Sequence, residues 1–98
     1  MPLYAPTTRV SPALFLDATR TPFNPTTVTC TVTPPQTGTP PIAIPVVHTF
    51  GVDPAMANTG TGIFTCTYEL AYAGVWLESW YGADANGDVT KKRQLEVF

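Results

Sequence analysis

The residue types best suited to nucleophilic or metal chemistry in this chain are one histidine, His48, and two cysteines, Cys30 and Cys66. Any Ser-His-Asp or Cys-His arrangement must include His48, because the chain has no second histidine. Its neighbours Val47 and Thr49 are typical of a strand, and no acid stands beside it to orient the ring. A single histidine with two cysteines is also a poor set of metal ligands. We therefore expect no catalytic residue, no metal and no cofactor.

A second pattern suggests calcium binding but has a simpler interpretation. Asp84, Asn86 and Asp88 alternate like the first ligands of a calcium loop. The twelfth position counted from Asp84 is Leu95, where such a loop needs a bidentate glutamate. Asn86 is followed by Gly87, and Asn-Gly tolerates the positive φ angles of a tight hairpin. We therefore predict a hairpin turn and no metal site here.

The elements that carry these residues are predicted to be β-strands. The best-marked strand spans residues 26–33, where Val28, Cys30 and Val32 face one way and threonines face the other. Another strand spans residues 64–70, and its large residues also alternate. Further strands are predicted at residues 14–16, 42–50 and 89–98 and around Trp76, with a loop at 51–62 in which Asp53 is suited to cap one helical turn.

Six or seven short strands, with turn signals about every 8–12 residues and no helical period, predict an all-β fold. We expect a single immunoglobulin-like antiparallel β-sandwich, since 98 residues suffice for one domain with a modest core. Pro2, Pro6 and Pro12 keep the start of the chain extended. The predicted organisation is an extended N-terminal arm over residues 1–12 and a β-sandwich domain over residues 13–98.

Two residues of this arm, Leu3 and Tyr4, have no obvious place in the core of their own domain. We predict that they contact a neighbouring subunit, to which the arm adds main-chain hydrogen bonds or a strand. The alternative is a frayed terminus. Leu3 and Tyr4 are therefore the candidate partner-binding residues.

Cys30 and Cys66 both stand at positions predicted to face the interior, so two alternatives remain open. Inward cysteines on facing sheets could form a disulfide. However, residues 1–6 lack the basic segment followed by an apolar segment that marks a secretory signal, which predicts folding in the reducing cytoplasm. Buried cysteines there behave as small hydrophobic residues, and we prefer free thiols.

The charge of the chain is low. Charged residues make up 12% of the sequence, about half the usual share. A net charge of −2 provides no electrostatic surface for nucleic acid or an acidic membrane, and no apolar stretch approaches the roughly 18 residues of a membrane span. The only basic run, Lys91-Lys92-Arg93, is interpreted as a solvated strand end.

Four segments carry a resemblance to a known family: Asp17–Pro35, Thr61–Leu70, Ala73–Trp76 and Leu95–Phe98. Their succession resembles the small immunoglobulin-like proteins encoded among the structural genes of tailed bacteriophages. The resemblance implies a non-enzymatic virion protein, either a decoration or cement protein of the head or a component of the neck or tail. It implies the major capsid protein or other virion proteins as partners, and assembly into the virion in the host cytoplasm. Formation of a homo-oligomer is a further possibility that the resemblance leaves open.

A second hypothesis is a carbohydrate- or cell-surface-binding module. Alternation places Trp76 and Trp80 on one strand face with Glu78 between them, and places Tyr81 on the other face. A sugar-stacking platform could be built from the aromatic side chains of this region, which are Tyr72, Trp76, Trp80 and Tyr81. Trp80 and Tyr81 are the preferred contacts, and the alternative is one tryptophan in the core with the other rings shielding strand edges. An enzyme is the third and least favoured class.

Overall fold

The computed structural model describes residues 3–35, 44–85 and 87–98. Over these residues the chain forms seven β-strands and no helix. The strands are β1 (Thr7–Leu14), β2 (Thr27–Thr33), β3 (Val46–Thr49), β4 (Met56–Gly60), β5 (Ile63–Leu70), β6 (Gly74–Asp84) and β7 (Gly87–Val97). The all-β prediction is confirmed.

The strands form two antiparallel sheets. The three-stranded sheet has the order β1-β5-β4, and the four-stranded sheet has the order β3-β2-β6-β7. Inward side chains of both sheets form one hydrophobic core, to which β2 contributes Val28, Cys30 and Val32. This arrangement is compatible with a β-sandwich.

The alternation seen in the sequence produces the burial pattern of the central strands. In β5 the even-numbered residues are buried, and these are Phe64, Cys66, Tyr68 and Leu70. In β6 the inward side chains are Trp76, Glu78 and Trp80, and Trp80 is only 1% exposed. The predicted faces of these strands are therefore confirmed.

The first strand differs from the prediction. It was expected at residues 14–16, but β1 pairs with β5 from Thr7 opposite Leu70 to Leu14 opposite Ile63. Phe15 continues this ladder by donating its N–H to the Gly62 carbonyl, so the even-numbered residues of β1 direct their N–H away from β5. Pro12 is tolerated because its missing N–H lies on the open side of an edge strand. The predicted boundary between arm and domain at residue 12 thus falls inside β1.

The segment between β2 and β5 also differs from the prediction. β3 covers only Val46–Thr49 of the strand predicted over 42–50, and residues 42–43 lie outside the described residues. The predicted loop 51–62 contains β4, which pairs with β5 through Met56 opposite Cys66. Asp53 begins a tight turn, since Met56 donates its N–H to the Asp53 carbonyl. No helix forms there, and this turn leads directly into β4.

The acidic run at residues 84–88 lies in a hairpin, as predicted. β6 and β7 pair up to Asp84 opposite Gly87, and Gly87 has a φ of 139°. Asn86, which the calcium-loop pattern would need, lies outside the described residues. Among the described residues there is no group of three or more carboxylate, histidine or cysteine side chains that could hold a metal.

Candidate interaction surface

One end of the molecule collects the start of the described chain, the β5–β6 turn and Phe98. β1 begins with Thr7 opposite Leu70, and β6 begins with Gly74 opposite Val97. Residues 3–6, 71–73 and 98 therefore lie together. We call these three segments the aromatic end. None of their side chains is charged.

The two candidate partner-binding residues lie at the aromatic end in different environments. Leu3 forms a parallel bridge with Val97, and the Phe98 N–H donates to the Leu3 carbonyl at 2.8 Å. Ala5 returns a hydrogen bond, donating its N–H to the Phe98 carbonyl at 2.9 Å. These bonds hold Leu3 half-buried against the core, so the expectation that it has no place in its own domain is wrong. Tyr4 points outward and is 65% exposed.

Two further exposed aromatic residues, Phe98 and Tyr72, complete this surface. The Phe98 ring lies 6.1 Å from the Tyr4 ring, centre to centre, and is 56% exposed. Tyr72 stacks on Trp76 at 6.0 Å and 15°, while the Trp76 indole N–H donates to the Tyr72 carbonyl at 2.9 Å. Each ring is thus positioned by a contact with its own chain while a large part of its surface stays open to solvent. From the sequence, Tyr72 is considered only for a sugar-stacking platform, and Phe98 is not singled out as a binding residue.

The histidine has an acid partner that the sequence reasoning also missed. His48 Nδ1 lies 2.5 Å from Asp53 Oδ2. The turn after β3 brings Asp53 back, since the N–H groups of Val52 and Asp53 both donate to the Thr49 carbonyl. Gly51, with a φ of 89°, supplies the left-handed conformation that this turn requires. The expectation that no acid orients the His48 ring is therefore wrong.

The His48–Asp53 pair is placed to stabilise the turn. Asp53 Oδ1 accepts a hydrogen bond from the Ala55 N–H at 2.9 Å, which together with the bond to His48 lowers the pKa of Asp53. Cys30, opposite His48 in the ladder, and Cys66 are fully buried free thiols. Their mutual hydrogen bond, followed by burial, raises the pKa of Cys30. Neither thiol is open to a substrate.

A buried carboxylate, Glu78, lies between the sheets with only 1% of its surface exposed. The Tyr68 hydroxyl donates to Oε1 at 2.6 Å, and the Trp80 indole N–H donates to Oε2 at 3.0 Å. Arg93 forms an ion pair with Oε2 at 3.3 Å. Burial and the hydrogen bond to Glu78 raise the pKa of Tyr68. We call these four residues the Glu78 cluster.

The Glu78 cluster also joins the edges of the two sheets. Arg93 in β7 donates one hydrogen bond to the Ser11 hydroxyl at 2.9 Å and another to the Pro12 carbonyl at 3.1 Å. Both acceptors belong to β1 of the other sheet. Both oxygens of the Glu78 carboxylate are already bonded within the chain. The Glu78 carboxylate is therefore used to hold the two sheets together.

The opposite end of the molecule carries an acidic groove of about 680 Å³ lined by Asp17, Asp84 and Asp88 together with apolar residues. Asp17 Oδ1 accepts hydrogen bonds from the Thr19 hydroxyl and from the N–H groups of Thr19 and Thr21. The first of these bonds contributes most to the lowered pKa of Asp17. Asp17 is thus committed to its own loop.

The aromatic residues proposed for sugar stacking are divided between two environments. Trp76 and Trp80 are buried in the core, so the expectation that Trp80 is an exposed binding residue is wrong. Tyr81 lies on the outer face of the four-stranded sheet and is partly exposed, with its hydroxyl 3.4 Å from an Asp88 carboxylate oxygen. Of the residues considered for sugar stacking, only the two tyrosines, Tyr72 and Tyr81, are exposed.

Comparison of this chain with protein-family models, with curated proteins and with solved structures found no match. No helix in the described parts of the chain is long and apolar enough to cross a membrane. The fold and the surface therefore define the class of protein only as an all-β protein of two antiparallel sheets with an exposed, uncharged aromatic end.

Proposed function

We propose that this protein is a non-enzymatic structural protein of a tailed-bacteriophage virion, a decoration or cement protein that stabilises the head through protein–protein contacts. The observation that carries this proposal is the aromatic end, where Tyr4, Tyr72 and Phe98 are held by their own chain and remain exposed. Aromatic side chains dominate the energetics of protein–protein interfaces because they bury large areas at a small cost in conformational entropy. The resemblance of segments 17–35, 61–70, 73–76 and 95–98 to phage structural proteins directs the choice of partner.

The strand order supports an immunoglobulin-like topology as part of this proposal. If β1 is taken as strand B, the sheets read B-E-D and C′-C-F-G, which is the order of an immunoglobulin sandwich that lacks a full strand A. Leu3, which bridges β7 in parallel, then takes the position of a short A′ segment beside strand G. A domain of this kind presents its loops and termini at its two ends, where partners can reach them.

The proposed contact uses side chains more than an added strand. Residues 7–12 belong to β1, and Leu3 and Ala5 already exchange hydrogen bonds with Phe98. Of the described residues in the predicted arm, only a short stretch before β1 therefore lies outside the strands, and the Tyr4 ring is exposed there. Deleting residues 2–11 would remove five of the eight residues of β1 as well as any contact, so substitutions are the appropriate test.

The test is capture of partners from the native source with the tagged protein, followed by mass spectrometry and then by binding to purified intact heads. We expect recovery of the major shell protein and saturable binding to heads. Tyr4→Ala and Phe98→Ala should each weaken head binding by about 30-fold or more and reduce recovery of the shell protein, whereas Tyr81→Ala, which alters an exposed tyrosine on another face, should bind like the wild type. A neck or tail protein recovered instead would move the assignment within the virion. Head binding that survives both aromatic-end substitutions would contradict the proposal.

A carbohydrate-binding module remains the second candidate, and the exposed ring of Tyr81 is the observation that favours it. Sugar stacking on that ring would quench or shift the protein fluorescence with host polysaccharide, and Tyr81→Ala would remove the effect. Retention of polysaccharide with no captured protein would favour this candidate over the virion proposal.

A further inference from the structure

The short strand β3 forms one edge of the four-stranded sheet, and apolar side chains are exposed along it. It pairs with β2 on one side, and no described strand pairs with its other side. Val47 is 58% exposed, and Ile44, Val46 and Val52 beside it are exposed as well. No residue from Ile44 to Val52 carries a carboxylate, an ammonium or a guanidinium group.

The ladder with β2 determines which main-chain groups of β3 face the open side. Phe50 donates its N–H to the Val28 carbonyl, continuing the register in which His48 lies opposite Cys30. In an antiparallel ladder, alternate residues direct both their N–H and their C=O toward the same neighbour. Val46, His48 and Phe50 therefore face β2. Val47 and Thr49 direct their main-chain groups to the open side.

Two main-chain groups on the open side are not available for pairing. The Thr49 carbonyl already accepts hydrogen bonds from the N–H groups of Val52 and Asp53 in the turn after β3. Pro45 has no N–H, and its carbonyl points to the open side because the Val46 N–H of the same peptide group points to β2. The open side thus offers two donors, the N–H groups of Val47 and Thr49. It also offers two acceptors, the carbonyls of Pro45 and Val47.

We propose that this edge is a homodimer interface, in which β3 of a second copy pairs antiparallel with β3 so that the two Val47 residues lie opposite each other. Each Val47 N–H then donates to the Val47 carbonyl of the other copy. Each Thr49 N–H donates to the Pro45 carbonyl of the other copy. In this register Thr49 lies opposite Pro45 of the other copy. The Thr49 carbonyl, which already accepts two hydrogen bonds in its own turn, therefore faces Pro45, which has no N–H to donate. All four open groups of each copy are satisfied, which is a self-complementary arrangement.

The other strand edges, β1, β4 and β7, lack this self-complementarity. On β1, Pro12 lies on the open side, so any self-pairing that includes Pro12 leaves the carbonyl opposite it without a donor. β7 carries exposed Lys91 and Lys92, which would oppose like charges in a self-paired ladder, and Leu3 already bridges its end. β4 is interrupted by a register shift between Asn58 and Gly60. Natural edges are usually protected by such charges and bulges. β3 has neither feature, and the pairing proposed for it does not depend on the virion assignment.

The test is sedimentation equilibrium of the full chain over a wide concentration range. We expect a monomer–dimer equilibrium for the wild type and a monomer for Val47→Lys, because two lysines would lie opposite each other in a ladder pair. Val47→Pro, which removes only an N–H that faces the open side, should also be monomeric. Val10→Lys is the matched control, since Val10 is equally exposed at 59% on the edge strand β1 of the other sheet, and it should dimerise like the wild type.

The proposed register can be tested separately with single cysteines. In a hydrogen-bonded antiparallel pair the opposed Cα atoms lie about 5.5 Å apart, within reach of a disulfide. Val47→Cys should therefore form a covalent dimer on mild oxidation, whereas Val52→Cys, exposed beyond the ladder, should not. A wild type that stays monomeric at every soluble concentration would overturn the proposal. So would a dimer that persists in Val47→Lys and Val47→Pro, once circular dichroism has shown that both variants are folded.

Discussion

The Glu78 cluster and the aromatic end use their side chains in opposite ways. The Glu78 cluster places a carboxylate, a phenol, an indole and a guanidinium between the sheets, and the carboxylate is bonded to each of the other three. The aromatic end places rings at the surface, where their contacts with the chain leave about half of each exposed. The ionisable groups of the Glu78 cluster are thus committed to contacts within the chain, whereas the rings of the aromatic end remain open to solvent.

This difference indicates how the protein would gain affinity for a partner. An uncharged aromatic surface binds by removing apolar area from water, at roughly 25 cal/mol per Å² before the costs of association. The phenol hydroxyls of Tyr4 and Tyr72 can add hydrogen bonds to such a contact. Substitutions in the two regions should therefore separate stability from binding.

The largest expected loss of stability comes from Arg93→Ala. The substitution leaves the buried Glu78 carboxylate without its cation and also removes the hydrogen bonds to Ser11 and Pro12. Removal of one partner from a buried ion pair costs about 3–5 kcal/mol, and we expect the lower end because the Arg93 side chain is 39% exposed. Urea denaturation measures the free energy of unfolding directly.

Lys92→Ala is the control for Arg93→Ala. Lys92 precedes Arg93 but is exposed on the outer face, so its substitution should change the free energy of unfolding by no more than about 0.5 kcal/mol. Glu78→Gln combined with Arg93→Ala should recover part of the loss, because a neutral amide no longer needs a counter-ion. If Arg93→Ala and Lys92→Ala unfold at the same urea concentration, the ion pair between Glu78 and Arg93 contributes nothing to the free energy of unfolding.

Tyr68→Phe should have the next largest effect. The substitution removes the donor to Glu78 Oε1 and costs about 2 kcal/mol near neutral pH, as expected for a hydrogen bond to a charged group. Burial first, then the bond to Glu78, raises the pKa of Tyr68 in the folded state above the unfolded value of about 10. The contribution of the phenol is therefore present in full below pH about 10 and is lost as the pH rises further.

Urea denaturation of the wild type and of Tyr68→Phe at a series of alkaline pH values tests whether this contribution is lost as the pH rises. The difference between the two proteins should narrow above pH about 10. Tyr81→Phe, which alters a partly exposed tyrosine, is the control and should follow the wild type. A difference that stays constant with pH would contradict the proposed linkage.

The sequence predicted the strands whose inward residues are large and apolar. In β2 and β5, large buried residues alternate with mostly polar ones, and the burial follows that pattern. In β6 the outward residues Val75 and Leu77 are also apolar, so alternation alone indicated which residues share a face. β1 was misplaced because its inward residues include Arg9, Ser11 and Ala13, which provide little contrast in hydrophobicity with their neighbours. β4 was missed because Met56 is its single buried residue.

The candidate site was harder to predict than the fold because it depends on contacts between distant segments. Tyr4 was identified from the sequence, but its ring partner Phe98 lies at the far end of the numbering. Leu3 was misjudged because its hydrogen bonds to Phe98 and its bridge to Val97 use main-chain atoms, which no side-chain pattern reports. The His48–Asp53 pair depends on a turn that reverses the chain within five residues.

Asp53→Asn should have a smaller effect, since this carboxylate is near the surface. The hydrogen bond from the Ala55 N–H, and then the bond to His48, lower the pKa of Asp53 in the folded state. A depressed pKa contributes stability above the unfolded value of about 4, and this contribution is lost as the pH falls through the folded pKa. Wild type should therefore be more stable than Asp53→Asn at pH 7, and the two should converge in acid.

Thermal unfolding at neutral and acid pH tests this prediction, with Glu69→Gln as the control for net charge. Glu69 is an exposed carboxylate on β5 and is not part of this turn. If the unfolding temperatures of Asp53→Asn and Glu69→Gln depend on pH in the same way, the Asp53 carboxylate contributes no specific stabilisation to the turn.

The smallest change in stability is expected at the aromatic end, together with the largest change in binding. Tyr4→Ala should alter the free energy of unfolding by about 0.5 kcal/mol or less, because the ring is mostly exposed and packs beside Phe98, which is itself exposed. If the aromatic end binds the head, Tyr4 is an interface anchor, and its truncation should weaken binding by about 2 kcal/mol or more. Isothermal titration against purified heads, beside urea denaturation, measures both quantities on one preparation. Arg93→Ala should show the reverse result, with lower stability and unchanged affinity of the folded protein. If Tyr4→Ala lowers stability and affinity in parallel, the aromatic end is part of the folded core, and the separation between the two regions fails.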